Sequence, residues 1–254
     1  MTAATTERAR VTPVRVMRAE WVKFGTLVSN PLTMFVAFLL IAVLAVVLMW
    51  ARSTEAMTPT ITELLTGAQW AQMLVAVLGA VFACSEWSSG TSQVTFLAAP
   101  TRWPVLIGKA IVMGVTAFFA GVLGAGAALI AGRIGGVDVA ADTGLAAQLV
   151  AGTGVYLAGI AILAVGIGVI VRNLIAGILT TIGFIWVLPL AITLIPWEPL
   201  QHVIPYLPSP AGGLLIAAES PASVLTPWGG GLVLLGWAVA SLIVAAVTLR
   251  TRDV

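Results

Sequence analysis

The sequence predicts an all-α polytopic membrane protein, with six transmembrane helices behind an amphipathic N-terminal elbow helix. Three observations lead there. Six apolar runs, Leu32–Met49, Leu64–Cys84, Val105–Ala131, Ala146–Ile170, Leu174–Ile195 and Gly229–Leu249, hold no acidic residue, and Lys109 is their only basic one. Each is long enough to cross a hydrocarbon core of about 30 Å at a rise of about 1.5 Å per residue. Charged residues make up only 9% of the chain, against about 25% in soluble domains, too few to solvate a soluble surface. Basic residues are also skewed to one side. With the amino terminus inside, the inner side holds ten basic and four acidic residues, +6, and the outer side two basic and six acidic, −4. Lys and Arg resist translocation, so both termini are expected in the cytoplasm of a multi-pass plasma-membrane protein.

Residues 1–12 are expected to form a disordered cytoplasmic tail, 13–29 the elbow helix and 30–254 the transmembrane domain. In the elbow, Val14, Met17, Trp21, Phe24 and Val28 recur at three- and four-residue steps, with Arg15, Arg18 and Lys23 between them. Thr12 fits an N-cap and Pro13 a first helical position. Such a helix lies in the membrane interface with its bases near anionic headgroups. Asn30-Pro31 is expected to break it from the first span. The inner connection, 85–104, carries an uncharged, moderately apolar stretch, Thr91–Ala99, read as a short helix closed by Pro100. Pro104 can start the third span, where a missing N–H is tolerated. Arg172-Asn173 separates spans four and five, since burying that charge would be costly. The outer segment 196–227 mixes seven prolines with many apolar residues. That composition suits short broken helices sheltered by protein better than a solvated loop. Close-spaced glycines in spans three and four allow helices to approach.

Little of the sequence carries chemistry of its own. No Walker A, HExxH, CxxC or GxSxG pattern occurs, and Gly108-Lys109-Ala110 lacks the spacing of a phosphate loop. The single histidine, His202, has no partner cluster, and the single cysteine, Cys84, cannot form an internal disulfide. Basic residues are not clustered as a nucleic-acid surface requires. The spans lack embedded Asp, Glu, Arg or His, the groups with which ion-coupled carriers bind or relay the ion, which shifts the expected energy source outside this chain. Gln69, Gln72 and Gln148 either line a translocation path or bond to neighbouring helices. Glu86, just after span two, is read as a solvated acid, as a cap of the 88–99 helix, or as a partner of Arg102 or Lys109.

Nearly the whole chain resembles the membrane subunit of an ABC-2-type ABC transporter. Arg18-Ala19-Glu20-Trp21-Val22-Lys23-Phe24-Gly25-Thr26 is similar to a start common in actinobacterial permeases. Glu86-x-x-x-Gly90-Thr91, Leu97-x-x-Pro100-x-Arg102 and Lys109 resemble the family's inner loop, and Tyr206-Leu207-Pro208-Ser209-Pro210 its outer segment. The resemblance implies an ABC-2 or type V exporter-like fold, working as a homodimer or heterodimer of permeases docked on two separate ATP-binding subunits. It implies that Glu86, Gly90, Thr91, Leu97, Pro100 and Arg102 couple to those subunits, and that Arg18, Glu20, Trp21 and Lys23 belong to the elbow. ATP and Mg would be held by the partner, with no cofactor and no catalysis in this chain. The outer loops are too small for a large extracellular domain, and Phe24 stands where many relatives have leucine. The expected activity is export of an amphipathic or lipophilic drug, natural product or lipid. A non-transporting scaffold or sensory subunit and a secondary carrier are the alternatives.

Overall fold

The computed structural model describes residues 12–53, 59–88, 103–139, 142–217 and 224–251. They form an all-α bundle in which six helices are long and apolar enough to cross a membrane. The elbow helix α1 (Pro13–Thr26) precedes them. The spans are α2 (Ser29–Ser53), α3 (Thr66–Ser88), α4 (Trp103–Ile134), α5 (Thr143–Val171), a composite fifth span, and α10 (Pro227–Thr251).

The start of α1 follows from its first residues. Pro13 sits where the helix has an N–H to spare, and the Thr12 hydroxyl accepts from the Arg15 amide at 3.4 Å. The break before α2 falls earlier than the Asn30-Pro31 expectation. Leu27 adopts an extended conformation, and α2 already begins at Ser29. Pro31 is thereby carried in the first turn of α2, where its missing donor costs nothing. Asn30 is buried and donates to the Phe24 carbonyl at 3.3 Å, satisfying an end of α1.

Helix α5 is the centre of the bundle. Tyr156, Leu157, Ile160, Ala161 and Ala164 are fully buried. It packs on α3, α4 and α10. Close approach is possible because glycine replaces side chains at the crossings: a Cβ on Gly121 would meet the Thr153 backbone, and one on Gly166 would meet Ser241. Helix α5 then ends for local reasons. Arg172 takes the left-handed conformation that closes a helix, and the Asn173 side chain accepts from the Ala176 amide at 3.0 Å to start the next. Arg172 therefore separates two spans, as its charge requires.

The fifth span is not one regular helix. Helix α6 (Leu174–Ile182) passes into a π turn (Gly183–Val187) and then α7 (Leu188–Thr193). Pro189 explains the change. It has no N–H to give to the preceding turn and its ring needs room, which a widened turn supplies. Beyond it, the segment 196–217 folds into short pieces: α8 (Glu198–Gln201), two 3₁₀ turns (Ile204–Tyr206 and Leu214–Ile216) and α9 (Pro208–Gly213) between those turns. Leu207, Ala211, Leu215 and Ile216 are buried. The segment is set into the bundle because Gly152 and Gly230 let its carbonyls lie against α5 and α10. Gln201 closes the end of the fifth span by donating to the carbonyls of Ile192 and Ile195.

Several contacts gather α1, the end of α3, Arg172 and the last turn of α10 at one end of the bundle. Lys23 meets Glu86, Arg172 lies over the Trp87 ring at 5.8 Å, and the Arg172 Nη2 donates to the Thr248 carbonyl at 2.9 Å. This is the elbow end; the short pieces of 196–217 lie toward the far end.

Candidate functional site

The least expected feature of an apolar bundle is a ring of four charges inside it. Glu20 of α1, Glu86 in the last turn of α3 and Lys109 in the second turn of α4 are 1%, 5% and 2% exposed. Lys23, one turn beyond Glu20, closes the ring from the partly exposed side. Lys109 Nζ lies 2.9 Å from Glu20 Oε2 and 2.9 Å from Glu86 Oε1. Lys23 Nζ lies 2.6 Å from Glu20 Oε1 and 2.7 Å from Glu86 Oε1. Two ammonium groups thus alternate with two carboxylates, and the net charge is zero. Lysine suits this geometry because its compact ammonium carries three donors that can serve separate acceptors.

Sequence order dictates how the ring assembles. On α1, Val16, Glu20 and Phe24 recur at four-residue steps and are the buried stripe. The more apolar set on this helix, Val14, Met17 and Trp21, points outward, as does Val28 just beyond it, and Arg15 and Arg18 are exposed with them. Phe24 alone of the expected stripe turns inward, edge-on to Phe82 with ring centroids 5.8 Å apart. Phe82 also presents its face to Lys109 Nζ at 4.6 Å, an attraction between cation and ring quadrupole. Gly108 lets α1 approach α4, since a Cβ there would press on Glu20 Cγ.

Electrostatics decide how the ring behaves. A carboxylate in the last turn of α3 faces the negative end of that helix, so Glu86 is held there by the lysines and not by the dipole. Burial pulls the Lys23 ammonium down, but its hydrogen bonds and attraction to Glu20 and Glu86 outweigh that and hold it above its ordinary value. One polar atom is left over: Glu86 Oε2 is buried and accepts no hydrogen bond among the described residues. It stands at the end of α3, two residues before Ser88, where the described part of that helix stops.

These positions correct the sequence reading. Glu86 is not a solvated acid, and its partners are Lys109 and Lys23. Charges are embedded near the ends of helices that span. The joining of Glu20 and Lys23 to the ring was missed. Its signal was present, because an acid interrupts the Val16–Phe24 stripe at helical spacing. Gly90, Thr91, Leu97, Pro100 and Arg102, together with the expected helix around 88–99, lie outside the described residues.

A second arrangement lies toward the far end. A cavity of about 300 Å³ is lined by Gln69, Gln72, Tyr156, Trp186, Pro189 and Ser209 among others. Gln72 is buried and its Oε1 accepts from the Ser209 hydroxyl at 3.1 Å; Ser209 also bonds the Tyr156 side chain. Trp186, on the π turn, tilts against Trp70 of α3 at 5.4 Å. The π turn and α7 supply Trp186 and Pro189 to the cavity wall, and α9 supplies Ser209. The cavity brings Gln69 and Gln72 together. Gln148 is not among its lining, and its Nε2 is buried without a hydrogen-bond partner among the described residues. His202 is exposed, and no group of three or more His, Cys, Asp or Glu suited to a metal occurs among the described residues.

No protein-family profile matches the chain, and no curated protein is similar enough to be matched.

Proposed function

We propose that this multi-pass membrane protein is the permease subunit of an ATP-driven exporter of the ABC-2 type. The observation that carries the reading is the charge ring. It fastens an interfacial helix to the ends of two spans, beside the connection that would meet a motor subunit. Any load on α1 or on the end of α3 is therefore shared by α3 and α4. The absence of a nucleotide-binding motif from the sequence agrees with work supplied by a separate subunit. The elbow end would face the cytoplasm, in line with the basic skew. Two ATP-binding subunits would dock there, and a second permease would complete the membrane part.

The cavity around Gln72, Tyr156 and Trp186 supports a path for a small amphipathic cargo. It offers hydrogen-bonding groups beside an aromatic wall, whereas two other cavities of the bundle are lined almost wholly by apolar side chains. Glu86, Arg18, Glu20, Trp21 and Lys23 keep the roles that the resemblance implies, in docking and load transfer.

The test is reconstitution in liposomes with a co-expressed ATP-binding subunit. The chain alone hydrolyses no ATP; the complex hydrolyses it, and Glu86→Gln lowers hydrolysis at unchanged complex assembly. An ion gradient that drives uptake into the vesicles without ATP would overturn this reading in favour of a secondary carrier, for which the buried Glu86 would then be the first candidate.

A further inference from the structure

We infer that the cavity around Gln72 takes an uncharged small molecule that presents a hydrogen-bond acceptor, such as a carbonyl oxygen, on an aromatic ring. That this molecule is cargo rests on the exporter reading; that it binds does not. The cavity, of about 300 Å³, reaches from Gln69, exposed in the first turn of α3, to the fully buried Tyr156 near the middle of α5. Part of its wall is apolar: Ile185 and Trp186 of the π turn, with Pro189 and Pro210. Trp186 packs on Trp70 at 5.4 Å. The flat faces of a tryptophan and two prolines suit a planar ring.

Two observations say what occupies it. The first is the supply of polar hydrogens. Tyr156 and Ser209 each bring one, and the Gln72 amide brings two. Among the described residues these side chains make two bonds, Ser209 with the Gln72 amide at 3.1 Å and Ser209 with Tyr156. Each bond consumes one hydrogen, so two of the four are left over whichever way the amide is turned. Gln72 is only 2% exposed, and a buried donor without an acceptor is costly. An acceptor seated in the cavity removes that cost. The second observation is charge. None of the described lining residues is charged. An ammonium group would find surplus donors and no counter-ion, and a carboxylate would find donors but no cation. An unpaired ion held there is strongly disfavoured. Water alone would meet the spare hydrogens but gain nothing from Trp186 and the prolines. The volume is that of the smaller small-molecule sites, which begin near 300 Å³.

The experiment is photolabelling of the full chain in nanodiscs, read by mass spectrometry of its peptides. The probe is benzophenone, an uncharged diaryl ketone whose carbonyl is both acceptor and photoreactive group. Its carboxylate and its aminomethyl analogue are the charged controls. At equal, sub-saturating membrane-bound amounts, benzophenone should label residues 66–72 or 183–189 roughly fivefold more than either ion. Gln72→Met takes away two hydrogens and one internal bond, so one hydrogen is lost to the ligand. Labelling should fall about fivefold, the worth of one neutral hydrogen bond. Tyr156→Phe takes away a hydrogen together with the bond that used it, and should leave labelling unchanged. Should Gln72→Met fold poorly, Trp186→Leu at a half-buried position serves, with a severalfold fall for the lost aromatic face. Equal labelling by the three compounds, or labelling indifferent to Gln72→Met and Trp186→Leu, would overturn the inference, while ATP hydrolysis by the complex would still uphold the exporter. The expected labelling in a complex that hydrolyses no ATP would uphold the site and remove the exporter reading instead.

Discussion

Replacing Lys109 by methionine should be the most damaging single change at the elbow end. The substitution keeps the apolar stem and removes one charge, leaving Glu20 and Glu86 to share Lys23. Both lost contacts are 2.9 Å long, and all three side chains are at most 6% exposed. At an effective dielectric near 20, each attraction is worth roughly 6 kcal/mol gross. Desolvation of the ions offsets several kcal/mol of that, so an intact buried ring adds little net stability. Removing one member is different, because it leaves an uncompensated carboxylate; the cost is about 3–5 kcal/mol. For a chain of this size, about 2–4 °C of apparent Tm accompanies each kcal/mol, giving a fall of about 6–20 °C. Tryptophan fluorescence on heating the purified protein in detergent would read it. The decisive comparison is Lys109→Met/Glu86→Gln. That pair restores neutrality, with Glu20 facing Lys23, and should recover at least half of the loss. Coupling of this kind is what separates a charge ring from ordinary packing. If the two substitutions simply add, the ring is not an electrostatic unit and the reasoning fails.

Three further outcomes follow. Lys23→Met should cost less than Lys109→Met, since Lys23 is 39% exposed and solvent screens it. Because its folded value is raised above the ordinary 10.5, its contribution should be complete below that pH and fade as pH rises through the raised value. The Tm gap between wild type and Lys23→Met, followed across that range, checks the sign. Gly230→Ala and Gly152→Ala would drive a methyl onto the Ala211 and Leu215 carbonyls. Each should destabilise by about 1–3 kcal/mol, whereas Gly126→Ala meets nothing within 4 Å and should be neutral or gain up to about 1 kcal/mol of helix propensity; heating curves of the three decide. Finally, cysteines placed at Ser88 and Arg250 should react with an impermeant maleimide from the same side, and one at Thr60 from the other. The native Cys84 is buried and contributes little background.

The spans were legible because crossing a membrane demands long uncharged runs, and the chain obeys that rule six times. The Arg172-Asn173 break was legible for the same reason: a charge and an amide at one point of an apolar stretch have few other uses. Three features were hidden. The π turn at Gly183–Val187 depends on Pro189, yet proline in a span is compatible with a plain kink, so composition alone does not choose. The cavity needs α9 to fold back against α5, and the small contacts that permit this, Gly152 and Gly230, look like any other glycines in the chain. The ring was half visible. Lys109 was one of two basic partners open to Glu86, beside a solvated acid or a helix cap, and nothing in the spacing chose among them. Glu20 and Lys23 looked like surface residues of an amphipathic helix, because the helix has two apolar stripes and periodicity does not say which one meets protein.

That ambiguity explains what the ring contributes. Methionine or leucine at the four positions would bury as much surface and avoid desolvating ions. Apolar contact, however, is non-directional. It would let α1 roll so that either stripe faced the bundle, and Val14, Met17 and Trp21 are the more apolar choice. Lys109 can meet Glu20 only when α1 lies at one rotation and one height along α4. Glu86 adds the same restriction for α3. The charges thus select the less apolar stripe as the protein-facing one, and leave the more apolar stripe for lipid. Outside the ring, α1 is held to α2 by the bend at Leu27 and Val28 and the Asn30 side chain. Helix α1 is consequently tied to α3 and α4 by ion pairs, and joined to α2 through an extended residue and one side-chain hydrogen bond. A helix mounted in this way is fastened to two chosen spans, and methionine at Lys109 should loosen that mounting before it unfolds the bundle.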